Sequence, residues 1–366
     1  MRKGGAMGSE IKKPEIKIGV FGLGSGGGNI INHMIEEGIK GVEFYAINTD
    51  RQMLNFSLAP NKIQIGTSLT GGFGSGDDPE IGRKACLESE EVLRDIATGV
   101  DLAFLVACLG GGTGSGASSF LAKILKEAGA LVVAIVTKPF RYEGEFRMRR
   151  ALKALAELRS HIDARMVLAN DQIIEHYGNR FFGDAFRSIN SLITEAVKGV
   201  IDMLNTPQII NIDFADFRSV MAEKGLSAMS VGIGMGENRA RLAAENVLNS
   251  PFLDTADLRG CKKVLINVTG DEKLTMREVQ VACNTITECL SPKTLIRCGY
   301  GKDKNLKDKM KITMVASGME EKLDNYLDID GIIKDLENVM PVRRNGKIDL
   351  ENREIPAFLR LRAKVD

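Results

Sequence analysis

Seven consecutive residues, Gly110, Gly111, Gly112, Thr113, Gly114, Ser115 and Gly116, constrain this chain more than any other feature. They follow an unbroken apolar segment, Leu102 to Leu109. They precede an amphipathic one in which Ala117, Phe120, Leu121, Ile124, Leu125 and Ala128 fall on one helical face. An apolar strand that ends in residues without side chains and then opens a helix brings backbone N–H groups against an anion. Glycine permits the close approach, and the helix dipole favours negative charge there. A tight turn needs one or two glycines, whereas this run holds five. The run reads as a phosphate cradle.

Around it the chain alternates strand and helix. Ile16 to Phe21, Val42 to Ile47, Leu102 to Leu109, Leu131 to Thr137 and Arg165 to Ala169 read as strands, with helical segments from Ile30 to Glu37, over 80–97 and from Ala117. Unbroken apolar strands alternating with helices predict an α/β fold with a parallel sheet covered on both faces. Ligands of such sheets sit beyond the carboxyl ends of the strands, where each glycine-rich segment falls. A long helix over 184–205, apolar on too broad a face for one contact, predicts a connector to a second, smaller α/β unit. In that unit Arg239 to Asn249 and Thr275 to Leu290 read as helices. Lys263 to Val268, Thr294 to Cys298 and Lys311 to Ala316 read as strands. Residues 1–14 read as a disordered, partly vector-derived start, and from Met319 the chain turns highly charged.

Composition narrows the function class. With 366 residues, 44% hydrophobic and 27% charged, the chain is globular in character, and a formal net charge of +1 gives no field for nucleic acid. No apolar run spans a bilayer, which predicts no membrane insertion. The 6 cysteines form no CxxC pair and the 3 histidines lie far apart, so neither a zinc site nor a disulfide framework is expected.

The nucleotide is the next question. Gly22 to Gly27 fits GxGxxG after a strand, with Asp50 somewhat beyond, which alone would suggest a dinucleotide-binding oxidoreductase. A third glycine segment, Thr70 to Gly76, lies between the other two, and three such segments suit a triphosphate better than a pyrophosphate. The Walker pattern GxxxxGK[ST] and an NKxD motif are both absent.

At this point the chain from about residue 15 to 320 resembles FtsZ, the tubulin-like cell-division GTPase family. GGGTGSG at 110–116 is similar to the family signature. The first glycine segment with Asn29, Ile47 to Asp50, Thr137 to Phe140, Glu143 through Arg147, and Asn211 to Asp216 follow in the family's order. The resemblance implies a GTP-binding domain over 15–183, the connector helix, a loop and helix over 206–229 carrying catalytic aspartates, a C-terminal domain over 230–318, and a linker with a partner-binding peptide over 319–366.

It also implies roles. Gly24, Ser25, Gly26, Gly27, Gly28 and Asn29, together with Gly110 to Gly116, would hold phosphates, with Gly74, Ser75 and Gly76 near the γ-phosphate. Asp50, Pro139, Glu143 and Arg147 would complete the nucleotide site, Asn170 and Asn190 would address guanine, and Phe186 would pack on the base. Mg²⁺ would be held mainly by nucleotide and water. Asn211, Asp213 and Asp216 would act on the GTP of a neighbouring copy, so that head-to-tail filaments hydrolyse GTP to GDP between subunits and form a ring at the division site. Ile355, Pro356, Phe358, Leu359 and Arg360 would dock membrane-tethering adaptors, placing a cytoplasmic protein at the inner face of the membrane.

Several positions depart from the family pattern. Ser25 stands where glycine is common, Gly71 where a basic residue is frequent, and Asn190 where an aspartate usually reads guanine. Asp77 and Asp78 replace a common Gly-Asn before Pro79. Two extra carboxylates beside the γ-phosphate segment are expected to repel nucleotide or to demand more Mg²⁺. A non-hydrolysing filament protein and a NAD(P)-dependent oxidoreductase remain the competing readings.

Overall fold

Continuous apolar strands need cover on both faces, and here each face receives its own set of helices. The computed structural model describes residues 16–205, 209–223, 226–253 and 258–319, with 343–344 and 347–348. In chain order the first part is β1 (Ile18–Leu23), α1 (Gly24–Glu36), β2 (Glu43–Asn48), α2 (Arg51–Phe56), β3 (Asn61–Gln64), α3 (Thr67–Thr70), α4 (Pro79–Glu88), α5 (Glu90–Ala97), β4 (Leu102–Cys108), α6 (Gly112–Glu127), β5 (Leu131–Lys138), α7 (Glu145–Leu158), β6 (Ala164–Ala169) and α8 (Asp171–Tyr177). Its strands form one sheet in the order β3-β2-β1-β4-β5-β6, every pair parallel. Successive residues of β1 face opposite ways, as pleating requires. Val20 joins the core shared with the connector helix, and Phe21 joins the core under α4, α5 and α6.

The connector is α9 (Phe182–Asn205), followed by α10 (Phe214–Met221), β7 (Leu226–Met235), α11 (Arg239–Leu248), β8 (Lys263–Gly270), α12 (Met276–Thr287), β9 (Leu295–Lys302) and β10 (Lys309–Met319). These last strands make a second sheet, β7-β10-β8-β9, antiparallel except for β8 with β9. α11 and α12 pack on it through Ala243, Val247, Ala282 and Ile286. Beyond residue 321 a separate unit includes the short ladder β11 (Arg343–Arg344) with β12 (Lys347–Ile348).

α9 is buried along most of its length, including Ile193, Val197, Val200 and Ile201. It meets β10 at Gly199, where a side chain would come within 2.4 Å of Thr313 Oγ1. Next to this contact the buried Lys311 on β10 reaches Asp202 of α9 at 2.9 Å and Glu195 at 3.9 Å. A cation sealed between two elements is costly unless paired, so the carboxylates fix where the helix lies on the sheet.

Both glycine segments depart from the sequence reading in one respect. α1 begins at Gly24 and α6 at Gly112, so glycines expected in loops form the first helical turns. Glycine's poor helix propensity is overridden by packing. At Gly114 a Cβ would stand 2.3 Å from the carbonyl oxygen of Cys108 on β4, so only glycine lets α6 start this close to its strand. The helical stretch over 80–97 is two helices broken at Ser89, whose Oγ accepts from Gly66 N at 3.1 Å.

α4 presses on the same helix start from the other side. A Cβ at Gly82 would lie 2.4 Å from the Gly112 carbonyl oxygen, backbone against backbone. Gly82→Ala is therefore expected to cost about 1–3 kcal/mol. The shift of the urea unfolding midpoint measures it, and an unchanged midpoint would mean that α4 can withdraw freely.

Candidate functional site

The carboxyl edge of the first sheet opens into a cavity of about 320 Å³. β1 runs directly into α1 there and β4 reaches α6 through Leu109, Gly110 and Gly111, so the first turns of α1 and α6 border one space. Neither helix has a side-chain cap or an acidic residue in its first turn, which leaves their leading N–H groups available to an anion. Gly24, Ser25 and Gly26 line the cavity from α1, and Gly111, Gly112, Thr113 and Gly114 from the head of α6. Gly74, Ser75, Gly76 and Asp77 close one side, Asn48, Thr49 and Asp50 another, and Pro139, Glu143, Arg147 and Asn170 a third.

The other residues singled out in the two glycine segments lie behind this wall. Gly28 and Asn29 border a small adjoining recess. Gly27 abuts the Val106 carbonyl oxygen, and Gly116 abuts Pro79. Ser115 Oγ is turned inward and accepts from Gly110 N at 2.8 Å. Phe186 and Asn190 sit on α9 and do not line the cavity, although Phe186 meets Phe140 edge-on at 6.0 Å between centroids, beside Pro139. Asn48, Thr49, Cys108 and Thr137 line the cavity without having been assigned a role. Three of these were signalled by the motifs Ile47 to Asp50 and Thr137 to Phe140.

Hydroxyl groups tie the loops together. Thr113 Oγ1 lies 2.7 Å from Thr49 Oγ1 and 3.2 Å from Ser75 Oγ, so the glycine helix, the β2 loop and the 71–78 loop share one buried chain. Asp50 is committed locally: its Oδ1 accepts from Gln52 N and Met53 N, capping α2. Glu143 Oε1 accepts from Phe140 N at 2.8 Å. Arg147 Nε lies 3.2 Å from Glu143 Oε2 yet is buried with no partner in hydrogen-bond geometry, a donor that a ligand oxygen can satisfy. Burial pushes the Cys108 thiol above its ordinary value, which disfavours the thiolate.

The carboxylates at 77 and 78 both have partners within the chain. Asp78 caps α4 through Glu80 N at 2.9 Å, and Asp77 is held by Arg150 at 2.9 Å. Among the described residues no group of three or more His, Cys, Asp or Glu could hold a metal ion.

Asn211, Asp213 and Asp216 lie outside this cavity, beyond the far end of α9. A helix of 24 residues spans about 36 Å, which sets the separation. The loop that carries them is pinned to β9: Ile209 N donates to Tyr300 O at 2.9 Å, and Tyr300 N to Ile210 O at 3.1 Å. Ile212 is buried against Gly299. Asp213 caps α10 by accepting from Asp216 N at 2.7 Å, and Asp216 faces Arg297 at 3.6 Å. The cap uses Asp213 Oδ1 and leaves its second carboxylate oxygen beyond it. The peptide Ile355, Pro356, Phe358, Leu359 and Arg360 lies outside the described residues, as do residues 1–14. Among the described residues no helix is long and apolar enough to cross a membrane.

Comparison with known proteins agrees with this geometry. Residues 17–178 match the Tubulin/FtsZ family GTPase domain, and residues 225–320 match the FtsZ family C-terminal domain. The cell division protein FtsZ of Buchnera aphidicola subsp. Schizaphis graminum is 41% identical over 314 residues, covering 86% of this chain and 81% of that protein. That of Wigglesworthia glossinidia brevipalpis is 36% identical over 371 residues, covering 94% and 97%. Among solved structures, an empty FtsZ dimer of M. jannaschii superposes with a TM-score of 0.77 at 37% identity, covering 86% of this chain and 94% of that one.

The hydroxyl chain generates a stability prediction. Thr113→Val leaves the Thr49 hydroxyl without its partner and is expected to cost about 1–2 kcal/mol. Adding Thr49→Val removes that stranded group, so the double variant should lose less than the sum of the singles. Additive losses in chemical denaturation would show that the two hydroxyls are not coupled.

Proposed function

The chain belongs to the tubulin/FtsZ family, and on that footing we propose that one copy holds GTP in its cavity while the aspartates of the next copy complete the site. It is a GTPase. The observation that carries the split-site reading is the separation of the two halves by the length of α9. Neither half reaches the other within one chain, and head-to-tail stacking removes the distance. Such an interface joins unlike surfaces and does not close on itself, so filaments follow.

The lining supports the phosphate roles, while those of Asn190 and Phe186, on α9 outside the cavity, rest on the family resemblance. The first-turn N–H groups of α1 and α6 bind phosphate oxygens, with Gly74 to Gly76 beside the terminal phosphate. Arg147 supplies its unpaired Nε, Glu143 orients Arg147 and contacts ribose, and Asn170 and Asn190 read the base against Phe186. Asp213 and Asp216 of the neighbouring copy, with Asn211, position and polarise a water for in-line attack on the γ-phosphate. The donor set suits a metal carried by its ligand: Asp50 is spent on a helix cap and Asp77 on Arg150, so nucleotide and water would hold Mg²⁺. Bound there, Mg²⁺ supplies charge neutralisation of the phosphates.

Hydrolysis replaces a GTP contact by a GDP contact at the subunit interface, weakening it and driving turnover. The terminal peptide, with Pro356 among Ile355, Phe358 and Leu359, suits a groove on a membrane-tethering partner and would place the filaments as a ring at the division site.

The test is Mg²⁺-dependent GTP hydrolysis per subunit across protein concentration. Turnover near zero below a threshold and rising above it is the expected result, whereas a flat specific activity overturns the split site. Asp213→Ala is expected to keep GTP binding and assembly, to lose a helix cap worth about 1 kcal/mol, and to lower turnover of assembled protein by about a hundredfold or more. Sedimentation alongside phosphate release separates these effects.

A further inference from the structure

A carboxylate on the wall of an anion cavity demands an explanation, and Asp77 is one. It lines the cavity, and its Oδ1 lies 3.5 Å from the position of a Cβ built on Gly111, the residue that opens α6. Its backbone is left-handed, with φ 62, a conformation that side chains disfavour. Something holds it there. Arg150 Nη1 donates both to the Asp77 carbonyl oxygen at 2.6 Å and to its Oδ2 at 2.9 Å. The guanidinium is itself steadied over the Phe146 ring, 4.2 Å from the centroid.

We propose that Asp77 and Arg150 form a charge pair that sets the preference of the cavity between nucleoside triphosphate and diphosphate. The inference rests on reading the cavity as a GTP site. A triphosphate brings about one more negative charge than a diphosphate, so it feels any unbalanced charge on the wall more strongly. With Arg150 in place the carboxylate is neutralised where it stands, beside the head of α6. Without Arg150 it repels phosphate, and the triphosphate most. Without Asp77 the arginine is a spare cation and attracts the triphosphate most. The neighbouring Asp78 is occupied with the α4 cap, so changes at 77 leave that helix start intact.

A mere structural staple between the 71–78 loop and α7 would act alike on both ligands. A charge pair acts unequally, and with opposite sign for its two members. The experiment is equilibrium binding of GTP and of GDP, each with Mg²⁺, to the full chain below its assembly threshold, at low and high salt. Arg150→Ala is expected to weaken GTP binding about tenfold and GDP about threefold. Asp77→Gly, which also accepts the left-handed backbone, should raise the GTP:GDP affinity ratio about threefold. The double variant should return the ratio to within about twofold of the parent, and Arg150→Lys, which keeps the charge, should stay near it. Differences between variants should shrink at high salt.

Equal losses for both nucleotides, shifts of the same sign in both single variants, or no recovery in the double variant would overturn the pair as a selector while leaving the GTP site standing. A parent chain that binds neither nucleotide would overturn the site and this inference together. Should Arg150→Ala fail to fold, Asp77→Gly and Arg150→Lys still decide the sign.

Discussion

The structure depends on how closely the head of α6 approaches the backbone around it. Its first turn is wedged between β4 and α4, with Gly114 against the Cys108 carbonyl and Gly82 against Gly112. Side chains at those positions would push the helix outward and turn its leading N–H groups away from the cavity. The same approach brings Thr113 within reach of Thr49 and Ser75, so the hydroxyl chain that joins three loops is a product of the wedge. Anion affinity and loop order therefore have one physical origin.

Much of this was legible in the sequence for a simple reason: fully buried strands are apolar throughout. β1, β4 and β5 announced themselves, and the positions of the glycines between strand and helix pointed to the carboxyl edge of the sheet. Helix starts were less legible. Glycine signals a loop by propensity, and only the three-dimensional packing at Gly114 reveals that it sits in a helical turn. β3, made of Asn61 to Gln64, lies at the sheet edge and has a polar pattern that resembles a loop. β7 carries Gly232 and Gly234 where α11 crosses close, so its strand signal is diluted by small residues.

Site residues followed the same divide. Gly112 was readable as cavity lining from its glycine run, and Glu143 and Arg147 through the family resemblance. The partner of Asp77 was not, since Arg150 lies 73 residues further along and belongs to a helix with an ordinary charged face. The shift of α1 and α6 into the glycine segments also places Gly27 and Gly116 within helices, packed against backbone. A Cβ at either would meet backbone, so both let neighbouring elements approach closely.

The connector helix has a further meaning. α9 is buried along most of its length, held to β10 by Lys311, and runs from beside the cavity, where Phe186 meets Phe140, towards the part of the chain that bears Asp213. One inserted residue would rotate everything beyond it by about 100° and advance it by about 1.5 Å. Such a change would unseat Lys311 from Asp202 and swing the Asp213 loop off β9 in the same step. Apolar side chains along this helix can be exchanged where volume is kept, but its residue count cannot drift, and α9 acts as a fixed gauge of the spacing between the cavity and the Asp213 loop.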